Sequence, residues 1–205
     1  MKRVVIASNN AAKLRELSAL LLHHGIEAVA QSRLGVSEAE EPHDTFLENA
    51  LAKARHASLA TGEAALADDS GLCVPAIGGE PGVQSAIYAG RDGPREHRDA
   101  ANNAKLVGRL REVADRSAYF YCVLVLMRSP ADPCPVVADG VWHGEIVLEP
   151  RGSRGFGYDP HFYLPGPGLT AAELSAQEKN RASHRARAMD ALAERLESLR
   201  VAAEA

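Results

Sequence analysis

The chain contains 205 residues, of which 46% are hydrophobic, so it is large enough to bury a substantial core. Its formal net charge of −4 excludes the strongly basic surface by which proteins attract nucleic acid or an anionic membrane. We therefore predict one domain over residues 1–205, a small-molecule partner, and no binding to nucleic acid or membranes.

The cysteines and the N-terminus indicate where the protein works. Cys73, Cys122 and Cys134 are odd in number and have no CxxC spacing, so neither a disulfide framework nor a zinc knuckle is indicated. The apolar run over residues 4–7 is shorter than that of a signal peptide, and no stretch approaches the roughly 20 apolar residues of a membrane span. These features predict a cytoplasmic protein.

The first predicted elements are a strand, a polar turn and a helix. The short apolar run between Arg3 and Ser8 predicts a buried strand that stops at Asn9 and Asn10. Leucines at three- and four-residue spacing predict a helix over residues 11–24, and Gly25 lies where such a helix ends.

A second helix and two strands follow. Thr45 and Glu48 match a capping box, which predicts the start of a helix that runs to about Thr61. Residues 64–67 and 72–77 are predicted as strands. The acidic segment between them, residues 68–71, is predicted as a turn at a strand end.

The second half begins with a polar helix over residues 94–114 and two long strands over 118–127 and 136–148, which could pair as antiparallel neighbours. A glycine-rich loop covers residues 151–160, and a capping box at Ser175 and Glu178 predicts a last helix to about Leu199. The alternation of helices and strands predicts an α/β fold with a mixed sheet.

The turn between the first strand and the first helix is a candidate phosphate site. Backbone amides, the helix dipole and a lysine can together hold phosphate at a helix start. Lys13 lies in the first helical turn, where a cation opposes the dipole, so a phosphate partner would explain its position. The turn lacks the GxxxxGK[ST] pattern, and an ordinary capped turn is the alternative.

Adjacent carboxylates form a candidate metal site. Strand alternation aims Asp68 and Asp69 in different directions, so one of them could bind a metal. A carboxylate oxygen suits Mg²⁺, which usually binds through one or two carboxylates and substrate phosphates. A solvated turn is the alternative. Glu40 and Glu41 become ligands only if their loop converges on Asp69.

Three further groups could contact a nucleotide. Lys53 shares one side of the second helix with Asn49, and a solvated polar face is the alternative. Phe156, between two glycines, could present its ring to a nucleobase. His184 and Arg185 could donate to base edges, although such residues on a helix are more often at the surface.

Taken in order, these segments resemble the inosine triphosphate pyrophosphatase family, also called the dITP/XTP pyrophosphatases, across nearly the whole chain. The matching segments are Ser8–Lys13, Phe46–Ala50 with Lys53–Ala54, Ala67–Leu72, Gly78–Gly79 with Pro81–Gly82, Gly155–Pro160 and Ser183–Arg185. The resemblance implies an elongated mixed sheet with flanking helices in two lobes, a nucleotide cleft between them, and a homodimer. It also implies Mg²⁺-dependent hydrolysis of ITP, dITP and XTP to the monophosphate and pyrophosphate.

The resemblance implies a role for each site residue. Asp69 is the catalytic proton acceptor for water and a Mg²⁺ ligand, with Asp68, Glu40 and Glu41 as further candidate ligands. Asn10, Lys13 and Lys53 are implied to face the triphosphate, Ser70 to touch substrate beside Asp69, and Ser8, Asn9, Ala11 and Ala12 to complete the substrate-binding turn. Phe156 is implied to stack on the base, with Gly157, Tyr158 and Asp159 in the same substrate-binding loop. The implied contacts of the purine edge are Lys179, His184 and Arg185. Lysine and arginine side chains would donate hydrogen bonds to the 6-oxo oxygen of hypoxanthine or xanthine, whereas the 6-amino group of adenine is itself a donor and could not accept them.

Two positions depart from the family pattern. Asn9 stands where the family often has Gly, but Asn tolerates a left-handed backbone better than most residues. Ile87 stands where the family commonly has Arg, so any contact of that arginine is absent or replaced.

The alternative functions are a nucleotide-binding sensor without turnover, and a house-cleaning pyrophosphatase for pyrimidine or modified nucleotides.

Overall fold

The computed structural model describes residues 2–204, so Met1 and Ala205, the ends of the predicted domain, lie outside the described residues. The strands are β1 (Arg3–Ile6), β2 (Glu27–Ala30), β3 (Ala65–Cys73), β4 (Ser117–Met127), β5 (Val136–Ile146), β6 (Phe162–Leu164) and β7 (Leu169–Thr170). The helices are α1 (Ala11–His23), α2 (Phe46–Thr61), α3 (Arg95–Leu110), α4 (Ala176–Ala182) and α5 (His184–Glu204).

The strands form one seven-stranded sheet in the order β2-β1-β3-β4-β5-β6-β7. Strand β1 runs parallel to both β2 and β3, with Val5 opposite Val29 and Ile6 opposite Leu66. Strand β6 runs antiparallel to both β5 and β7. The sheet is therefore mixed, which confirms the predicted α/β class.

The chain divides into two compact units, each assembled from separate segments. Unit 1 consists of the chain up to Asp69, Cys122–Gly140 and the chain from His184 onward, and unit 2 consists of Ser70–Tyr121 and Val141–Ser183. The chain passes from one unit to the other within β3, β4 and β5, and again between Ser183 and His184. Each unit has its own apolar core. Core members include Val4, Ile6, Leu17, Leu66, Leu124 and Met189 in unit 1, and Leu72, Leu106, Phe120, Trp142, Tyr158 and Phe162 in unit 2.

Side-chain caps set the starts of three helices. The Asn10 side chain accepts from the backbone of Ala12 and Lys13 at the start of α1, and the Thr45 hydroxyl accepts from the Glu48 amide at the start of α2. Ser175 and Glu178 form a complete capping box at α4. The predicted helix starts are therefore confirmed where the sequence contains a cap.

Two predicted boundaries are wrong. Residues 68–71 are not a turn, because β3 continues through them to Cys73. The strand predicted over residues 72–77 is therefore only the end of β3, and Pro75–Ile77 form a 3₁₀ turn. The acidic residues at 68 and 69 remain in the strand because their buried charges have ion-pair partners. The last predicted helix is two helices, since Ser183 has extended backbone between α4 and α5.

All three cysteines are free, with Cys73 and Cys122 buried and Cys134 exposed. None of the helices between residues 2 and 204 is both long enough and apolar enough to span a membrane.

Candidate active site

Asp69 lies at the end of the unit 1 part of β3, where it is 6% exposed. Its Oδ1 accepts a hydrogen bond from Lys53 Nζ on α2 at 2.9 Å. The same ammonium lies 3.3 Å from Glu41 Oε1. Helix α2 therefore brings the predicted catalytic carboxylate and one predicted loop carboxylate to a shared cation, while Glu40 is exposed on that loop.

The second oxygen of Asp69 differs from the first. Oδ2 is buried and has no hydrogen-bond partner among the described residues. Burial raises the pKa of Asp69 above its usual value, and this effect exceeds the opposing attraction of Lys53 and Lys13. Asp69 is thus a buried carboxylate with raised basicity and one unused oxygen, which is the condition of a general base.

Asp68, the neighbouring residue, is in the opposite condition. Its Oδ2 accepts from Arg185 Nε at 2.8 Å and from Cys122 Sγ at 3.1 Å, and its Oδ1 forms an ion pair with Lys13. Although burial alone would raise its pKa, the charges of Arg185 and Lys13 hold the pKa of Asp68 well below its usual range. Asp68 is therefore ionised and fully engaged, and two adjacent carboxylates are separated into two chemical roles.

The predicted phosphate turn lies beside this pair. Asn10 Oδ1 accepts from the amides of Ala12 at 3.1 Å and Lys13 at 3.3 Å, and Ser8 Oγ accepts from the Asn10 amide. The Asn9 side chain accepts from Gln31 at 3.4 Å. The turn is thus a capped helix start, with Ala11 exposed at the first helical position and the Lys13 ammonium directed to Asp68.

The residues around Asp69 fit a magnesium ion. A buried carboxylate oxygen without a partner is costly, and a cation would satisfy it. No group of three or more His, Cys, Asp or Glu within residues 2–204 is arranged to hold a metal. Magnesium usually binds through one or two carboxylates together with substrate phosphates. Asp69 and Glu41 are the carboxylates that would hold it.

In unit 2, the glycine-rich loop presents Phe156 as a half-buried ring. Lys179 Nζ lies 4.8 Å from the ring centroid, and the Arg95 guanidinium lies 5.1 Å from it. The loop is fixed by Asp159, which accepts from the Phe156 amide at 2.8 Å and from Lys179 Nζ at 2.5 Å. Gly155 is required here, because a Cβ would lie 2.0 Å from the Asp159 carboxylate.

The other residues of the loop have structural contacts. Tyr158 is buried in the unit 2 core and donates its hydroxyl to the Ser85 carbonyl at 2.8 Å. Gly157 donates its amide to Asp99 at 3.0 Å, and its carbonyl accepts from Asn103 at 2.9 Å. Tyr158, Asp159 and Gly157 therefore shape the loop that presents Phe156.

The predicted base-edge residues do not all belong to one group. Lys179 is in unit 2 beside Phe156, whereas His184 and Arg185 are buried residues of unit 1 at the start of α5. The Arg185 guanidinium is paired with Asp68 and Glu16, so the structure places it in the carboxylate cluster. Ser70 is half-buried in β3 at the first position of unit 2.

Sequence reasoning missed Glu16 and Cys122 in unit 1, and Arg95, Asp99 and Asn103 in unit 2. The only available signals were helical spacings. Glu16 is three residues after Lys13 on α1, and Asn103 is four residues after Asp99 on α3. No local pattern indicated the thiol of Cys122, because its partner Asp68 is 54 residues away in sequence.

Comparisons with known proteins agree with the motifs. The chain matches the model of the Ham1 family over residues 4–195. A dITP/XTP pyrophosphatase from Burkholderia pseudomallei is 65% identical over 198 residues, which cover 97% of this chain and 95% of the relative. A dITP/XTP pyrophosphatase from Bordetella pertussis is 62% identical over 196 residues, covering 96% and 92%.

A solved structure gives the same result. The structure of a HAM1 protein from Coxiella burnetii superimposes with a TM-score of 0.86 at 46% identity, covering 97% of this chain and 100% of the other. The family match, the relatives and the fold together confirm the resemblance, and the chain therefore belongs to the Ham1 family.

Proposed function

We propose that this chain hydrolyses the deaminated purine nucleotides ITP, dITP and XTP to the nucleoside monophosphate and pyrophosphate, and so removes them from the nucleotide pool. The observation that supports this most directly is the geometry of Asp69, a buried carboxylate whose Oδ1 is held by Lys53 and whose Oδ2 has no hydrogen-bond partner among the described residues. The names of the relatives supply the substrate class, since they are dITP/XTP pyrophosphatases.

In this proposal Asp69 accepts the proton of the attacking water. Lys53 holds Oδ1 of Asp69, so that Oδ2 keeps a fixed orientation. Bound Mg²⁺, held by Asp69 and Glu41, would neutralise phosphate charge and polarise the scissile anhydride. Lys13 and Lys53 would stabilise negative charge on the departing pyrophosphate, because preorganised cations act most strongly where charge develops.

Base selection is proposed to reside in the Phe156 loop. The ring of Phe156 would stack on the purine, and Lys179 beside it would donate to the 6-oxo group. His184 is the second proposed donor, and it is buried at the start of α5. An adenine presents an amino group at this position, which cannot accept a hydrogen bond from these donors, so a site built to bond a carbonyl oxygen rejects it.

The test is to identify the products formed from ITP and Mg²⁺. We expect IMP and pyrophosphate, whereas IDP and orthophosphate would contradict the proposed bond cleavage.

Asp69→Asn keeps the side-chain shape but removes basicity, so turnover should fall by at least about 100-fold. Asp139→Asn, an exposed carboxylate on β5, is the control and should retain activity. Near-normal turnover in folded Asp69→Asn protein would move the catalytic role elsewhere.

We also propose that the protein works in the cytoplasm. Three free thiols, two of them buried, suit a reducing compartment, where disulfides rarely form.

A further inference from the structure

We propose that Asn49 is a positioning residue for the metal site, because it fixes the loop that carries Glu41 and so directs that carboxylate to the same ammonium as Asp69 before any nucleotide binds. The inference rests on the proposed function, in which Asp69 and Glu41 hold Mg²⁺. Asn49 acts on Glu41 through the backbone of His43.

Two hydrogen bonds join Asn49 to His43. The Asn49 side-chain oxygen accepts from the His43 amide at 3.1 Å, and the side-chain nitrogen donates to the His43 carbonyl at 3.1 Å. Asn49 lies on α2 and is fully buried, whereas His43 is exposed on the loop before this helix. One buried amide thus satisfies both backbone polar groups of a loop residue, as a neighbouring strand would, and fixes the position of that residue.

The chain between His43 and Glu41 is short and stiff. Only Pro42 separates the two residues. Proline fixes its own φ and restricts the residue before it to extended conformations. On the other side of His43, the Thr45 side chain caps the start of α2. Few backbone torsions therefore remain free, so a fixed His43 also fixes the point from which the Glu41 side chain extends.

The same side of α2 holds the loop a second time. Asn49 and Lys53 are four residues apart, so they are neighbours on the helix surface. Lys53 Nζ lies 3.3 Å from Glu41 Oε1 and 2.9 Å from Asp69 Oδ1. The Glu41 side chain is 49% exposed, and an ion pair with such a group is a weak restraint by itself. The buried contact of Asn49 with the backbone is therefore the stronger restraint on where Glu41 lies.

Asn49→Ala is the variant that tests this. Alanine is a good helix former, and the freed backbone groups of His43 belong to an exposed residue, where water can bond them, so the variant should fold. Asn49→Ser, whose side chain is too short to bond both groups, is the second variant. The matched control is Asn102→Ala on α3. Asn102 is also buried, and it accepts from the Ala89 amide and donates to the Ser85 carbonyl.

The first readout is the affinity for Mn²⁺ alone, measured by electron paramagnetic resonance without nucleotide or turnover. Carboxylates suit Mn²⁺ as they suit Mg²⁺. We expect binding to weaken about tenfold in Asn49→Ala, because residues that orient metal ligands typically contribute about ten- to a hundredfold to metal affinity. Asn102→Ala should bind Mn²⁺ as tightly as the wild type, since it loses the same kind of contact in unit 2, whereas Glu41 and Asp69 are in unit 1.

The second readout shows whether Asn49 acts through Glu41. Glu41→Gln should itself weaken Mn²⁺ binding, because one carboxylate ligand is lost. Addition of Asn49→Ala to this variant should then weaken binding by less than about twofold further, since changes at two coupled residues are not additive. A residue that only stabilises unit 1 would cause the same loss of affinity in both backgrounds.

Three results would overturn the proposal. The first is wild-type Mn²⁺ affinity in folded Asn49→Ala or Asn49→Ser protein. The second is an equal loss of affinity with and without Glu41→Gln, or the unfolding of both Asn49 variants, because Asn49 would then be a purely structural residue. The third is the absence of Mn²⁺ binding by a wild-type protein that hydrolyses ITP, because the metal site would then not form before the nucleotide binds. Mn²⁺ binding that weakens as expected in a protein without hydrolysis would instead contradict the proposed function alone.

Discussion

Asp68 and Asp69 are consecutive residues of one strand, yet their surroundings give them opposite properties. Alternation along β3 directs one side chain to Arg185 and Lys13 and the other to Lys53. The pKa of the first is lowered and that of the second is raised. Two identical neighbouring residues of one strand therefore differ in role, with Asp68 as an ionised carboxylate in ion pairs and Asp69 as a candidate base.

A second residue-scale prediction separates base recognition from phosphate chemistry. Lys179→Ala should lower the preference for ITP over ATP by about ten- to a hundredfold, because a donor to the 6-oxo group is lost. Phe156→Ala should weaken all purine triphosphates more evenly, since stacking contributes about 1 to 3 kcal/mol regardless of base. The measurement is kcat/KM for ITP, XTP, GTP and ATP.

Circular dichroism of each variant provides the folding control. An unchanged ratio of ITP to ATP in folded Lys179→Ala protein would show that purine selection lies elsewhere. Loss of Lys179 also removes an ion pair with Asp159, so Asp159→Asn serves as a comparison that weakens the same pair but keeps the ammonium.

For single residues, the sequence motifs identify candidate site residues but not the residues that they contact. Asp69 and Lys53 belong to separate motifs, and only the structure shows that they form an ion pair. Arg185 could not be placed, because its carboxylate partners are on elements more than 100 residues away. A guanidinium on a helix face has the same local signature whether it is exposed or buried in an ion pair.

Among the elements, the connection between β4 and β5 is held by a group of hydrogen bonds around one buried carboxylate. Asp132 is buried and accepts from the backbone and guanidinium of Arg128 and from the Cys134 amide. Hydrogen bonds from Arg128 hold the pKa of Asp132 far below its usual value, despite the opposing effect of burial. This carboxylate is therefore ionised in the folded protein at neutral pH.

Because the folded pKa is lower than the unfolded value of about 3.9, Asp132 stabilises the fold above that pH and loses its effect as the pH falls towards the folded pKa. Asp132→Asn should therefore lower the free energy of unfolding at pH 7 by about 1 to 3 kcal/mol. The difference from the wild type should shrink as the pH is lowered below about 4.

Urea unfolding followed by circular dichroism at several pH values measures this difference. Asp139→Asn, on the exposed side of β5, should leave the free energy of unfolding almost unchanged at every pH tested. A difference for Asp132→Asn that stayed constant into the acid range would mean that the carboxylate charge is not what stabilises the connection.

Element boundaries were predictable where a local interaction determines them. The caps at Asn10, Thr45 and Ser175 are read from three or four consecutive residues, and the structure has helices starting at each. The extension of β3 through Asp68 and Asp69 was not predictable in this way. Turn-forming residues remain in a strand there because distant cations stabilise them.

On the scale of the whole molecule, the chain passes between its two units four times, three times within a strand and once between Ser183 and His184. Unit 1 contains the Asp68 and Asp69 cluster and unit 2 contains the Phe156 loop. Each unit is assembled from distant parts of the sequence, so the boundaries between the units could not be predicted from shifts in composition or from linker segments. The order of several motifs, in contrast, identified the family without knowledge of the units.

The family resemblance also predicts a homodimer. Light scattering after size-exclusion chromatography should give a mass near twice the 21.9 kDa of one chain. Isolated leucines at the surface, such as Leu22 and Leu59, do not by themselves indicate an interface. A mass equal to one chain across a dilution series would contradict the prediction.

The distribution of the three thiols has a practical consequence. Burial raises the pKa of both Cys73 and Cys122, which keeps them protonated and unreactive in the folded protein. Of the three cysteines, only Cys134 is exposed, and it lies in the connection between β4 and β5, where its amide donates to Asp132. A fluorophore with a maleimide group would thus attach at one known position without any engineered cysteine, and it would leave the thiol that orients Asp68 untouched.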